Sequence, residues 1–285
     1  MMDHHQPIML RDLAENWVRE AAYAIERRRR ELGDLRPYTL TKSSSVDPVT
    51  VVDTMAEELL VEAITRQRPG DGIIAEEGTE ERSTTGVSWI IDPIDGTVNF
   101  LYGIPNYAVS LAAAVDGHVI AGAVINAAGG TEGAGGSVYR AARGYGAQVV
   151  RGGAVQDMRA SREENLAQAL VATGFSYQAA RRKQQATALT KILPEVRDIR
   201  RQGSAALDLC AVAEGRVDAF YEHGIHCWDY AAGALIAQEA GAVVHTPALS
   251  VPGGEFHRVL VAAPGIAEPL AELLDAAGAG PQLGA

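Results

Sequence analysis

One ten-residue stretch, Ser88-Trp89-Ile90-Ile91-Asp92-Pro93-Ile94-Asp95-Gly96-Thr97, constrains the fold more than any other. Its apolar half predicts a buried strand over residues 87–91 that delivers Asp92 to its C-terminal end, where Pro93 stops the sheet ladder. Asp95 follows three residues later, then Gly96 and Thr97, where a new segment must begin. Two aspartates this close in a tight turn can converge on one point. Bare, they repel and one pKa rises; a divalent cation removes that cost. Taken alone, the same residues also read as a turn in which Asp caps the backbone and Gly supplies a positive φ.

Three further carboxylate sources share this pattern. Ile73-Ile74-Ala75-Glu76-Glu77-Gly78 is a short strand ending in acid, and Asp229 in Cys227-Trp228-Asp229-Tyr230 begins an alanine-rich helix. Asp53 heads another amphipathic helix. Individually, Glu76 reads as a polar turn, and Asp229 and Asp53 as helix N-caps. Together they form an oxygen-only donor set without a His/Cys cluster, which selects Mg²⁺ before Zn²⁺. Several carboxylates can hold two such ions about 3.5–4 Å apart, the spacing used for in-line displacement at phosphorus. Backbone N–H groups at Gly96 and Thr97, and at the helix start Gly203-Ser204-Ala205-Ala206, offer places for a phosphate. No nucleotide-binding glycine loop accompanies them, because Gly144 and Gly146 lack its spacing and context. The chemistry indicated is phosphoryl transfer, as hydrolysis.

The remainder of the 285 residues frames that reading. A helix over residues 8–32 ends at Gly33 and Pro37, with Arg27–Arg30 as its solvated basic end, and an extended loop or hairpin covers 39–52. Strands follow at 72–75 and 87–91, then a strand–turn–strand over 107–124 around Asp116-Gly117, and a strand pair over 138–150. Gly129–Gly136 is a flexible glycine-rich loop. Beyond about 155, helices at 180–193, 205–213 and 229–240 alternate with strands at 169–173, 217–221 and 242–245, which predicts a partly parallel sheet. Two parts are expected: 1–153, α+β with an antiparallel sheet and the metal-binding carboxylates, and 154–270, α/β. Residues 271–285 are expected to fray.

Lys plus Arg number 25 against 36 Asp plus Glu, a net charge of −11, which argues against direct nucleic-acid binding. No apolar run reaches membrane-span length, the start lacks a signal-peptide pattern, and Cys210 and Cys227 make no zinc spacing or disulfide framework. A soluble, cytoplasmic protein is expected.

Haloacid-dehalogenase phosphatases carry two aspartates separated by one residue. Here Pro93 and Ile94 separate them, which breaks the alternation needed to aim both to one side of a strand. The chain instead resembles the inositol monophosphatase family of Mg²⁺-dependent, lithium-sensitive phosphatases, closest to its inositol-1-monophosphatase branch. Asp92-Pro93-Ile94-Asp95-Gly96-Thr97 matches the family's first signature and Trp228-Asp229-Tyr230-Ala231-Ala232-Gly233 its second. Lys42-Ser43-Ser44 with Asp47 and Asp53, Glu76-Glu77, and Gly203-Ser204-Ala205-Ala206 extend the likeness over roughly residues 10–265. It departs at Asn126-Ala127, where the family often has Asn-Pro.

The resemblance implies a layered αβαβα sandwich of the inositol monophosphatase and fructose-1,6-bisphosphatase type, within the α/β (α+β) class. It implies two to three Mg²⁺ ions, with Glu76, Asp92 and the Ile94 carbonyl around the first and Asp92, Asp95 and Asp229 around the second. Glu76 and Thr97, supported by Asp53, would activate the attacking water without a covalent intermediate. Gly96 and Thr97 would hold the phosphate, while Glu222, Ser204, Ala205 and Gly203 line the substrate pocket beside Asp95 and Asp229. Lys42 lies on the loop near the metals. The substrate implied is myo-inositol monophosphate; fructose 1,6-bisphosphate, 3′-phosphoadenosine 5′-phosphate and histidinol phosphate are the alternatives. A homodimer is implied, and an accessory role on transcription complexes is the reading from another class.

Overall fold

The apolar positions of the first helix recur at helical spacing, so Leu10, Ala14, Trp17, Val18, Ala21 and Ile25 form one buried stripe on α1 (Pro7–Leu32). The computed structural model describes residues 5–41, 48–129 and 136–283, so Lys42, Asp47 and most of the glycine-rich loop lie outside the described residues. A small hairpin, β1 (Thr39–Thr41) and β2 (Pro48–Thr50), leads into α2 (Val51–Gln67). Then come β3 (Gly72–Ala75), β4 (Glu80–Glu81), β5 (Val87–Asp95) and the short α3 (Thr97–Tyr102). A run of antiparallel strands follows: β6 (Ala108–Val115), β7 (His118–Asn126), β8 (Val138–Ala142), β9 (Ala147–Arg151) and β10 (Ala154–Asp157). The second half runs β11 (Leu170–Thr173), α4 (Ala179–Ile192), β12 (Asp198–Arg200), α5 (Ala205–Ala213), β13 (Ala219–His223) and α6 (Cys227–Glu239). It closes with β14 (Val243–His245), β15 (Arg258–Ala262) and α7 (Ala267–Ala277).

Strands β3 to β10 form an eight-stranded sheet in the order β10-β9-β8-β7-β6-β5-β3-β4, antiparallel except for the β3–β5 pair. The second sheet has the order β12-β11-β13-β15-β14, parallel from β12 to β13 and antiparallel beyond. Side-chain alternation along β5 sends Trp89 and Ile91 to the core under α1 and α2, and Ile90 to the opposite core, where α5 and α6 pack. Helices α5 and α6 are apolar on nearly every face because both sheets cover them: Leu209 and Ile236 share a cluster with Val124 of one sheet and Val261 of the other. A third cluster, including Ile192, Tyr221, Leu260 and Leu270, joins α4 and α7 to the outer face of the five-stranded sheet. The order is helix, sheet, helix, sheet, helix: a layered αβαβα sandwich.

Several local expectations are corrected. Pro93 does not end the ladder: β5 continues to Asp95 through a register shift, with Asp92 opposite Ser110 and Asp95 opposite Ala108. Three steps along β5 therefore span two along β6, a β-bulge that puts Asp95 back on the face of Asp92 while Ile94 stays in the α1/α2 core. The expected convergence of the two aspartates thus comes from the bulge, and the strand alternation used to set aside the haloacid-dehalogenase reading does not keep them apart. Neither Asp53 nor Asp229 is an N-cap; Thr50 and His226 hold those positions, and each aspartate is the third helical residue of a capping box. Arg29 leaves the solvated basic run, lying over the rings of Phe100 and Tyr107. The divide expected after residue 153 falls within the β9–β10 hairpin, since β10 belongs to the first sheet. Nor is 271–285 loose through position 283: α7 is docked, Ala279 and Leu283 are buried, and the Gly280 carbonyl meets the His223 ring at 2.8 Å.

Candidate active site

The bulge, β3 and the first turn of α6 bring carboxylates to one place. One oxygen each of Asp92, Asp95 and Asp229 lies within 4.8 Å of the others. Asp92 is 1% exposed, and its Oδ1 is buried with no hydrogen-bond partner. An orphaned carboxylate oxygen inside an all-oxygen cluster is costly in a folded chain, and a hard cation resolves it. Asp95 presents a divided carboxylate: Oδ2 accepts from Ser204 Oγ at 2.6 Å and from the Ala206 N–H at 2.7 Å. Asp229 is fixed by the His226 N–H, which donates to its Oδ2 at 2.5 Å.

Electrostatics follow from this crowding. Burial, then the charges of Glu76, Asp95 and Asp229, hold the Asp92 carboxyl well above the usual carboxylate range. Burial also raises Asp229, with Glu76 and Asp95 adding to it. Asp95 is pushed up to about 6, by burial against the opposing hydrogen bonds from Ser204 and Ala206. Glu76 is drawn in beside these groups, as the electrostatic and hydrogen-bonding influence of its carboxylate on Asp92 records.

Thr97 opens α3 directly after Gly96, whose φ is +94°. A Cβ on Gly96 would also stand 2.9 Å from the Gly203 carbonyl, so both conformation and space demand glycine there. Thr97 Oγ1 reaches Asp53 Oδ1 at 3.2 Å and the Ile94 carbonyl at 3.0 Å. The other Asp53 oxygen accepts from the N–H and hydroxyl of Thr50. Ile94 therefore offers a carbonyl at the bulge while its side chain is buried among apolar residues.

A cleft of about 490 Å³ opens from this bay; Glu76, Asp95, Gly96, Gly203, Ser204, Ala205 and Asp229 line it together with Glu222, Asp208 and Arg201. Burial pushes Glu222 up to about 8, with Arg201 opposing and Asp95 reinforcing the shift. The rings of His226 and Trp228 stack with centroids 4.5 Å apart at the cleft wall. Of the residues singled out from the sequence, the structure brings Glu76, Asp92, Asp95 and Asp229 together and links Asp53 to Thr97. It sets Gly96, Gly203, Ser204, Ala205 and Glu222 around the cleft.

Sequence reasoning missed Glu57. It lies 20 residues before Glu77 on α2 and accepts from the Glu77 N–H at 2.7 Å and from the Thr79 N–H and hydroxyl, tethering the turn that carries Glu76. Glu57 falls four residues after Asp53, one helical turn along the face that carries Ala56, Leu60 and Ile64, and that spacing was the available signal. Arg201 and Asp208 were also missed; both precede or follow the noticed Gly203-Ser204 pair by a few positions.

Comparison with known proteins bears on the same residues. The family model described as "Inositol monophosphatase family" matches residues 9–279. The chain belongs to the inositol monophosphatase family. Within it, the chain is 48% identical over 279 residues to Mycobacterium tuberculosis H37Rv "Inositol-1-monophosphatase SuhB", covering 93% of each chain. It is 40% identical over 213 residues to the Escherichia coli K12 "Nus factor SuhB", covering 72% of this chain and 73% of that one. The solved structure of Mycobacterium tuberculosis SuhB superposes with a TM-score of 0.82 at 45% identity, covering 96% of this chain and 99% of that one. Family membership supports a metal-binding phosphatase, and the acidic bay is a place for the metal. Among the described residues, no helix is long and apolar enough to cross a membrane.

Proposed function

We propose that this chain hydrolyses myo-inositol monophosphate to myo-inositol and phosphate with Mg²⁺. The observation that carries the reading is the joining of the Asp92–Asp95–Asp229 cluster to a cleft that ends in Glu222. Glu76, Asp92, Asp95, Asp229 and the Ile94 carbonyl would hold two to three Mg²⁺ ions. Bound there, Mg²⁺ supplies positive charge for the attacking and departing oxygens and lowers the pKa of water. Thr97 Oγ1, oriented by Asp53, accepts a hydrogen bond from the attacking water, and Glu76 takes its proton. The N–H groups of Gly96 and Thr97 hold the phosphate as charge grows on it. Glu222 accepts hydrogen bonds from hydroxyls of the leaving group, and Ser204 and Ala205 close the pocket around it. No covalent intermediate is needed.

The test is phosphate release with Mg²⁺ from myo-inositol 1-phosphate, fructose 1,6-bisphosphate, 3′-phosphoadenosine 5′-phosphate and histidinol phosphate. Inositol phosphate should lead; a tenfold advantage for another ester would refute the substrate while leaving the metal chemistry standing. Lithium at millimolar concentration should inhibit. The mass of one chain is 30.1 kDa, and sizing should return twice that for the homodimer we infer. The "Nus factor" name of the Escherichia coli relative favours a second reading, an accessory role in transcription complexes through a protein partner. An Asp95→Asn chain that retains a cellular function without hydrolysis would support it. We place the protein in the cytoplasm, acting on a small phosphate monoester rather than on nucleic acid.

A further inference from the structure

Strands β11 and β13 run parallel in register, with Thr173 opposite Tyr221, and Thr173 Oγ1 donates to the Tyr221 carbonyl at 2.8 Å. Gly174 follows the end of β11 and Glu222 is the next residue on β13, and both line the cleft. This is the C-terminal end of adjacent parallel strands, where open α/β sheets place ligands. Gly174 is not among the glycines with positive φ, so its backbone does not require glycine. Space does. A Cβ built on Gly174 would fall well inside van der Waals contact of Glu222, and its three nearest heavy atoms are the Oε1, Oε2 and Cδ of that one carboxyl.

The geometry points to Gly174 as the positioning residue that seats Glu222: the carboxyl lies in the space that a side chain at 174 would fill. The inference rests on the proposed reading of Glu222 as the acceptor for a polyhydroxylated leaving group. What a methyl at 174 meets is the far end of a flexible side chain, not backbone. The consequence is a displaced carboxylate rather than a broken fold, and it falls on substrate discrimination. Asp208 and Arg201 face the same carboxylate from α5 and the segment before it, so a moved Glu222 also loses its charge environment. An ester whose leaving group carries no hydroxyls makes no use of Glu222 and is indifferent to Gly174.

The test compares wild type, Gly174→Ala, Glu222→Ala and the double variant on myo-inositol 1-phosphate and on 4-nitrophenyl phosphate, with melting temperatures measured alongside. We expect Gly174→Ala to raise KM for inositol phosphate about tenfold, as loss of a buried hydrogen bond does, with kcat changed less than about threefold. KM for 4-nitrophenyl phosphate should not move, and Gly174→Ala should add nothing once Glu222 is Ala. An unchanged KM for inositol phosphate, an equal rise for both esters, or additive effects in the double variant would overturn the role of Gly174 alone. Loss of the folded state in Gly174→Ala would overturn it too, since the methyl would then be meeting backbone. An unchanged KM in Glu222→Ala would overturn the reading of Glu222 and this inference with it.

Discussion

Asp95→Asn separates what the acidic bay costs the fold from what it does for function. Asn keeps an oxygen for Ser204 Oγ and the Ala206 N–H while replacing the other oxygen with an NH₂, which removes the negative charge beside Asp92 and Asp229. In the metal-free protein the Asp95 carboxyl sits at about 6 against an ordinary 3.8. At about 1.4 kcal/mol per pH unit, holding it ionised at pH 7.5 costs about 3 kcal/mol. Because the folded pKa is raised, the favourable contribution of protonated Asp95 is complete below about 4 and is lost as pH climbs through 6. The variant never carries that loss. In EDTA at pH 7.5 it should therefore melt about 6–12 °C above wild type, given about 2–4 °C per kcal/mol for a large domain, and the gap should close by pH 4. Adding Mg²⁺ at a hundred times its dissociation constant should stabilise wild type by about 2.7 kcal/mol and the variant far less. Scanning calorimetry across pH, with and without Mg²⁺, measures all of this. A variant less stable than wild type in EDTA at pH 7.5, or a wild type indifferent to Mg²⁺, would refute the account. Turnover by Asp95→Asn should fall by orders of magnitude.

Other substitutions probe the supports of the bay. Asp53→Asn should lower kcat by about 10²–10⁴ with little change in KM, because it disorients Thr97 without touching the cleft; single-turnover kinetics would check it. Glu57→Gln weakens the tether on Glu77 and Thr79 and should raise the Mg²⁺ concentration for half-maximal rate about tenfold, read from a metal titration. Far from the cleft, buried Asp71 bonds Arg68, Trp89 Nε1 and Thr85, so Asp71→Ala should cost about 3–5 kcal/mol in urea unfolding and leave kcat intact.

Much of this architecture is legible in the chain because the physics is local. The period of α1, the alternation of Trp89, Ile90 and Ile91, and the acid at each strand end need no knowledge of distant residues. The losses are non-local. Pro264-Gly265 and Gly278 do punctuate β15 and α7, but their place is set by pairing with β13 and packing on the outer face. Pro93 reads as a stop because its ring lacks a donor; whether it sits at a bulge depends on the register of β6. Asp53 and Asp229 look like caps because Thr50 and His226, which take that place, differ in kind: threonine is an ordinary cap and histidine is not. The roles of Glu57 and Gly174 exist only once β3 meets α2 and β11 meets β13.

The sandwiching of α5 and α6 between two sheets has a kinetic consequence. The bay needs β5, laid down with the first sheet, and the first turn of α6, more than 130 residues later in the chain and buried only when the second sheet docks. Contacts of that sequence separation are late to form. The cation should then find no partial home in a half-folded chain, and its binding energy should lie almost wholly on the native side of the folding barrier. Mg²⁺ would act as a latch on a finished structure, slowing unfolding while leaving the rate of folding nearly untouched.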